Sequence, residues 1–316
     1  MLLSLVVVML GAYTRLVDAG LGCPDWPGCY GHIVLASTTT ELSQAQNIYP
    51  TIPIDVHKAW IEMTHRYVAG ILALLVIFIS WKIFTISALP KLLSWTLLLL
   101  LGLQAALGMW TVTLKLLPVV VMGHLLGGIL LLTCLSYVCC QLSSMERVYL
   151  PVWHRLLQLG CLIVLIQIAL GGWVSANYSG LACIGFPLCN GLWIYNVDFT
   201  QGFNLSSAVG LNYQGGLLES SGRIAIHWVH RLWAVITVIY VVIIASAIAI
   251  KTKNQSTSWI AVGIICLLIL QFILGIINVV YLLPLWAALL HNGIAAVLLA
   301  AVTSLCYLTG LKRVAK

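Results

Sequence analysis

Four histidines, His65, His124, His230 and His291, stand inside long apolar stretches of the sequence. An ionisable side chain in such a stretch is costly in lipid, so it marks a functional position by default. Imidazole is a standard axial ligand of heme iron. Two histidines on separate helices can ligate one planar cofactor from opposite faces, and four make two such pairs. A lone membrane histidine more often bonds helix to helix, but recurrence at four matched positions argues against that here. Glu62 lies three residues before His65, on the same helical face. A buried carboxylate there can exchange protons or stabilise a developing positive charge, or it can orient a neighbouring ligand. Arg66 and Arg231 each follow a histidine. Their forked donors suit cofactor propionates, or they snorkel to headgroups.

The elements that hold these residues are membrane helices. Of 316 residues, 62% are hydrophobic and only 7% are charged. That is too little charge to coat a water-facing surface of this size. The net charge of +7 does not point to nucleic acid, because the basic residues are scattered between apolar runs and form no stripe on a soluble module. Apolar runs predict eight helices at about 1–17, 58–81, 91–113, 118–141, 153–176, 224–250, 258–280 and 285–310. The first is short for a span of about 20 residues, as a start codon placed too late would leave it. It also lacks the flanks of a signal peptide.

Basic residues in short loops set the orientation. Lys82, Lys91, Arg147, Arg155, Lys251, Lys253, Lys312, Arg313 and Lys316 share one side, against Lys58, Lys115 and Arg223 on the other, with Arg15 near a helix end. The first side, with both termini, is predicted to be cytoplasmic. The long loops, about 18–57 and 177–223, are then outside. Each of the four histidines lies roughly 10 Å below that outer surface, at 1.5 Å per residue.

The chain repeats itself. The stretch from Gly20 to Gly31 and that from Gly180 to Gly191 both read G-L-x-C-x-x-[WF]-P-x-C-x-G. His65-Arg66 matches His230-Arg231, Gln104 and Gly108 match Gln271 and Gly275, and Leu117-Pro118 precedes His124 as Leu283-Pro284 precedes His291. The reading is an all-α membrane protein of two tandem four-helix bundles, 1–145 and 146–316, related by an axis along the membrane normal. The halves differ at one chemical position, where Glu62 faces His227. His227 reads as a ligand neighbour, a hydrogen bonder or a spare ligand. Small residues near the second histidine of each half (Gly123, Gly127, Gly128; Gly293, Ala295, Ala296) allow close helix approach and leave room for a flat macrocycle.

In an oxidising outer compartment the loop pairs Cys23–Cys29 and Cys183–Cys189 are expected to be disulfides, either stapling a loop over the cofactor or, for the first pair, acting in redox beside Glu62. Structural zinc prefers closer pairs. Cys134, Cys139, Cys140, Cys161, Cys266 and Cys306 lie in apolar runs as packing residues. His32, His57 and His154 fall in loops or at helix ends, without an evident role.

The tract Tyr13-Thr14-Arg15-Leu16-Val17-Asp18-Ala19-Gly20-Leu21-Gly22-Cys23-Pro24-Asp25-Trp26-Pro27, the Glu62-x-x-His65-Arg66 motif, His124, His230-Arg231 and His291 resemble the heme A synthase family over nearly the whole chain. The resemblance implies an oxidoreductase of a bacterial inner membrane that converts the C8 methyl of heme O to a formyl group, giving heme A. It implies that the N-terminal half holds the substrate heme through His65 and His124, with Glu62 essential. The C-terminal half then holds heme b through His230 and His291, and Cys23 and Cys29 match a loop pair that contributes to activity. Heme O synthase, cytochrome oxidase assembly factors and an electron partner are the implied associates. A di-heme b electron-transfer cytochrome and a heme transporter are the rival readings.

Overall fold

The structure is a computed structural model that describes residues 1–34, 38–85, 89–192, 197–206 and 208–310. Lys312, Arg313 and Lys316, counted above toward the orientation, lie outside the described residues. The elements are α1 (Leu2–Leu16), α2 (Thr39–Ile48), α3 (Val56–Thr85), α4 (Lys91–Thr113), α5 (Pro118–Leu142), α6 (Pro151–Ala176), α7 (Phe199–Gly202), α8 (Ser220–Lys251), α9 (Gln255–Val280) and α10 (Leu285–Leu308). Among the described residues there is no strand, only the isolated bridges Cys29–His32 and Cys189–Leu192. Seven helices, α3, α4, α5, α6, α8, α9 and α10, are long and apolar enough to cross a bilayer. The chain is a multi-pass, all-helical membrane protein. In hydrocarbon only structures that satisfy their own backbone can span, and a helix does so within one segment.

Each of these seven begins and ends within four residues of its expected bounds, and the first apolar run is a helix of 15 residues. Prolines start several of them: Pro118 opens α5, Pro151 is in the first turn of α6, and Pro90 and Pro284 cap α4 and α10. At these positions a missing N–H costs nothing and the fixed φ suits the helix. The helix surfaces carry bare apolar side chains such as Leu74, Phe78, Leu99, Ile239, Ile243 and Trp259. Lipid, not water, is the solvent such faces suit.

The short helices α2 and α7 were not expected from the sequence. The signal for α2 was there. Thr38 accepts from the Glu41 N–H, and the Glu41 side chain accepts from the Thr38 N–H, a capping box that satisfies two orphan donors at once. Asp198 caps α7 through the Gln201 N–H.

The chain forms two compact units. One comprises Leu2–Leu131 and Asn204–Leu217. In it α3 packs against α1 and α4, and the buried Ser94 hydroxyl donates to the Ser80 carbonyl at 2.8 Å across α3 and α4. Tyr213 joins this unit through its N–H on the Lys115 carbonyl and its burial with Leu116 and Leu117. The other unit comprises Met1, Leu132–Phe203 and Leu218–Lys316. In it α6 packs on α8 and α10, and α9 packs on α8 and α10. Trp233 Nε1 donates to the Ile163 carbonyl, and the Tyr240 hydroxyl donates to the Leu156 carbonyl. Trp173, 4% exposed, donates its indole N–H to the Gly202 carbonyl at 2.8 Å and ties α7 to the bundle. Trp173→Phe keeps the ring but removes this donor. It is expected to cost about 1 kcal/mol, read as a lower unfolding midpoint in detergent and faster proteolysis near Phe199–Gly202.

Candidate functional site

Glu62 lies in the second turn of α3 and is 5% exposed. Such a carboxylate needs partners, since an unpaired charge in an apolar interior is strongly disfavoured. It has two. Glu62 Oε2 accepts the Cys23 N–H at 2.9 Å, and Oε1 accepts from Arg66 Nη2 at 2.6 Å. Arg66 stands one turn further along α3, so helical spacing brings the two together. The same guanidinium donates through Nη1 to the carbonyls of Asp25, Pro27 and Gly28. One side chain thus holds both the carboxylate and the loop above it.

That loop is closed by the Cys23–Cys29 disulfide. Inside it, Asp25 accepts the N–H groups of Tyr30 and Gly31, and Gly31 takes a φ of +80° that suits glycine. The loop rests directly on α3: a Cβ at Gly22 would stand 2.6 Å from the Lys58 carbonyl carbon and 2.7 Å from its oxygen. Tyr30 is buried beside the disulfide, and burial raises its phenol above the usual value, with Asp55, Glu62 and Asp25 adding to the rise.

His65 follows Glu62 by three residues, and His124 comes from α5. Their ring centroids are 6.4 Å apart, with ring planes at 87°. A metal–imidazole bond is about 2 Å and a ring nitrogen lies about 1 Å from its centre, so two imidazoles flanking one ion have centroids about 6 Å apart. Among the described residues no group of three or more His, Cys, Asp or Glu could hold a metal ion. A facing pair of imidazoles suits an ion whose other ligands come from a planar macrocycle. Both rings are buried, His65 beside the Val7 backbone and His124 beside the Gln104 backbone.

In the second unit a disulfide-closed loop and the arginine that holds it recur. His230 on α8 lies close enough to His291 on α10 for electrostatic interaction. Gln167 Nε2 is 3.3 Å from His230 Nδ1, and the Gln271 backbone stands beside His291. The Cys183–Cys189 disulfide closes the loop. Asn190 holds it by accepting the Ile184 N–H and donating to the Ala182 carbonyl. Arg231 gives its guanidinium to the Gly185, Leu188 and Cys183 carbonyls. Where the first unit has Glu62, this one has His227, buried beside the Ser179 backbone. Arg231 therefore pins a loop without balancing a carboxylate.

The profile of the cytochrome oxidase assembly protein family (COX15-CtaA) matches residues 1–303. The chain belongs to this family. As a cytochrome oxidase assembly protein it has relatives of matching length. A heme A synthase of Shewanella oneidensis is 44% identical over 308 residues, covering 96% of this chain and 92% of that protein. One from Caulobacter sp. strain K31 is 28% identical over 339 residues, covering 96% and 92%. One from Shouchella clausii is 28% identical over 212 residues, covering 62% and 63%.

In this family member the structure brings together Glu62, His65, Arg66, His124 and the first disulfide in one unit, and His230, Arg231, His291 and the second disulfide in the other. The other histidines lie elsewhere. His154 Nδ1 is 2.9 Å from the Cys306 carbonyl and serves helix packing; His57 is exposed at the start of α3; His32 pairs its backbone with Cys29. Of the small residues near His124, Gly127 makes room for Gln104, whose Nε2 would stand 1.9 Å from an added Cβ. Sequence reasoning missed the bonds from Arg66 and Arg231 to loop carbonyls. Their matched place after a histidine in each repeat was the available signal. Arg66→Leu leaves Glu62 buried without its cation and is expected to cost about 3–5 kcal/mol. The double variant Glu62→Gln/Arg66→Leu is expected to regain part of that loss. Thermal unfolding in detergent measures both.

Proposed function

We propose that this chain is a heme A synthase, oxidising the C8 methyl of heme O to the formyl group of heme A. The observation that carries the reading is the placement of Glu62, one turn from the facing imidazoles of His65 and His124 and under a disulfide-closed loop. The name borne by the relatives supports it, above all the Shewanella protein at 44% identity. The finer architecture we infer is eight spans, with α1 as the first, arranged as two four-helix bundles, 1–145 and 146–316. Recurrent backbone supports this: Asp18 and Tyr178, Tyr30 and Asn190, and Leu116 and Leu283 share the same left-handed conformation.

In this reading His65 and His124 bind the substrate heme, and His230 and His291 bind a heme b cofactor. The donor sets fit. Each site offers two buried imidazoles and, among the described residues, no group of three or more His, Cys, Asp or Glu that would hold a bare ion. The backbone or the Gln167 amide beside each ring is the kind of ordering contact that ligating histidines have. Bound heme b would supply one-electron transfer. Two successive hydroxylations, each a two-electron oxidation of the methyl carbon that draws its oxidant and its oxygen atom from outside the protein, would give a gem-diol, which loses water to the aldehyde. Glu62 is the catalytic residue. Its two oxygens are fixed by Cys23 N–H and Arg66, so its charge or proton is presented at a set position beside the substrate, where it counters developing positive charge or accepts a proton. Arg66 and Arg231 reach cofactor propionates by exchanging a loop carbonyl for a carboxylate. The disulfides Cys23–Cys29 and Cys183–Cys189 lie on the outer face of a bacterial inner membrane, with both termini cytoplasmic. Heme O synthase, oxidase assembly factors and an electron partner complete the setting.

Glu62→Ala, co-expressed with a heme O synthase, is expected to retain bound heme while heme A falls at least about 100-fold. Pigment extraction with chromatography and mass spectrometry reads this. Undiminished heme A would refute the assignment, and a wild-type protein holding two hemes b without heme O or A would make it an electron-transfer cytochrome.

A further inference from the structure

Four glycines stand against the four histidines. An ideal Cβ on Gly11 of α1 would lie 3.0 Å from His65 Cε1, and one on Gly108 of α4 would lie 3.2 Å from His124 Cε1. On Gly171 of α6 it would lie 3.1 Å from His230 Cε1, and on Gly275 of α9 it would lie 3.3 Å from His291 Cε1. In every case the nearest atom is Cε1, the carbon between the two ring nitrogens. Each imidazole therefore presents the same edge to the bare backbone of a neighbouring helix. A methyl group at any of these positions would push the ring by a few tenths of an ångström, because contacts this short are tighter than nearly all real ones.

Helix flexibility does not explain these glycines. Glycine inside a helix costs roughly 1 kcal/mol against alanine. Gly70, Gly102 and Gly263 also lie inside spanning helices, two of them in the same helices as Gly108 and Gly275, and have nothing within 4 Å of an added Cβ. Close approach to an imidazole sets the first four apart from these three. A Cβ on Gly310, beyond the end of α10, would also lie 3.1 Å from His154 Cε1, but that glycine lies outside a helix and has Arg147 beside it at 3.2 Å. The residue one turn before each adds to the pattern. It is Gln104, Gln167 and Gln271 at three of them, and Val7 at the fourth. Gln167 reaches His230 Nδ1, and Gln104 Nε2, Gln167 Oε1 and Gln271 Oε1 are buried without partners.

We infer that Gly11, Gly108, Gly171 and Gly275 are positioning residues, each a seat that sets the place and angle at which its histidine meets a heme iron. The inference rests on the reading that these histidines bind heme. The glycine touches no reacting atom and acts through the ring. A methyl in the seat rotates or displaces the imidazole plane, which alters the ligand field of the iron while leaving helix propensity no worse.

The test uses the full-length protein purified with its heme. Gly11→Ala, Gly108→Ala, Gly171→Ala and Gly275→Ala are compared with Gly70→Ala, Gly102→Ala and Gly263→Ala. Heme content, the optical spectrum and the low-spin ferric electron paramagnetic resonance signal are recorded. The seat variants are expected to shift that signal, which reports the orientation of axial imidazole planes, or to lose heme. The other three are expected to keep the wild-type signal and content. Wild-type signals in the seat variants, or equal shifts in the controls, would overturn the inference while leaving the heme sites intact. A wild-type protein that binds no heme would overturn the reading of the histidines and the inference with it. Each seat addresses a separate histidine, so failure of one variant to insert leaves the remaining three to decide.

Discussion

A carboxylate in the wall of a membrane bundle must be answered by charge and by hydrogen bonds, and Glu62 is answered by Arg66 and by the Cys23 amide. Neither partner is independent. Arg66 is also the donor that gathers the Asp25, Pro27 and Gly28 carbonyls, and Cys23 is an end of the disulfide that closes the same loop. Desolvation of one acidic group thereby ties the loop to α3. Removal of either partner would leave an uncompensated buried group, the costly case for such pairs.

The second unit shows what the loop requires when no carboxylate is present. Arg231 still collects three carbonyls, so loop pinning is the shared task and the carboxylate is the addition. The units differ also beside the histidines. His230, His124 and His291 each have a glutamine one turn from their glycine, while His65 has Val7. The Glu62 side of the protein is thus richer in charge and poorer in neutral amides around its imidazoles.

Much of this was legible from local pattern. Apolar runs of about 20 residues report spans because lipid tolerates little else, and the starts of α4, α5, α6 and α10 are written by proline. The repeat carried the histidine pairs, since equal spacing in two halves is a property of sequence. The capping box of α2 was equally local and could have been read from Thr38 and Glu41. The placement of Tyr213 was not, because nothing in Asn204–Leu217 states that it will pack on Leu116 and Leu117, roughly a hundred positions earlier.

The sequence by itself determined the solvent of this protein, its seven long apolar helices, the recurrence of its histidines and the inequality of Glu62 and His227. These depend on composition and on spacing along one chain, where 3.6 residues per turn relates near neighbours. Tertiary structure alone decided that Arg66 serves the loop as well as Glu62, that His65 and His124 face each other at 6.4 Å, and that a glycine of another helix abuts each imidazole. Those facts depend on how helices pack, and packing selects partners by shape and desolvation across distances that no local pattern encodes.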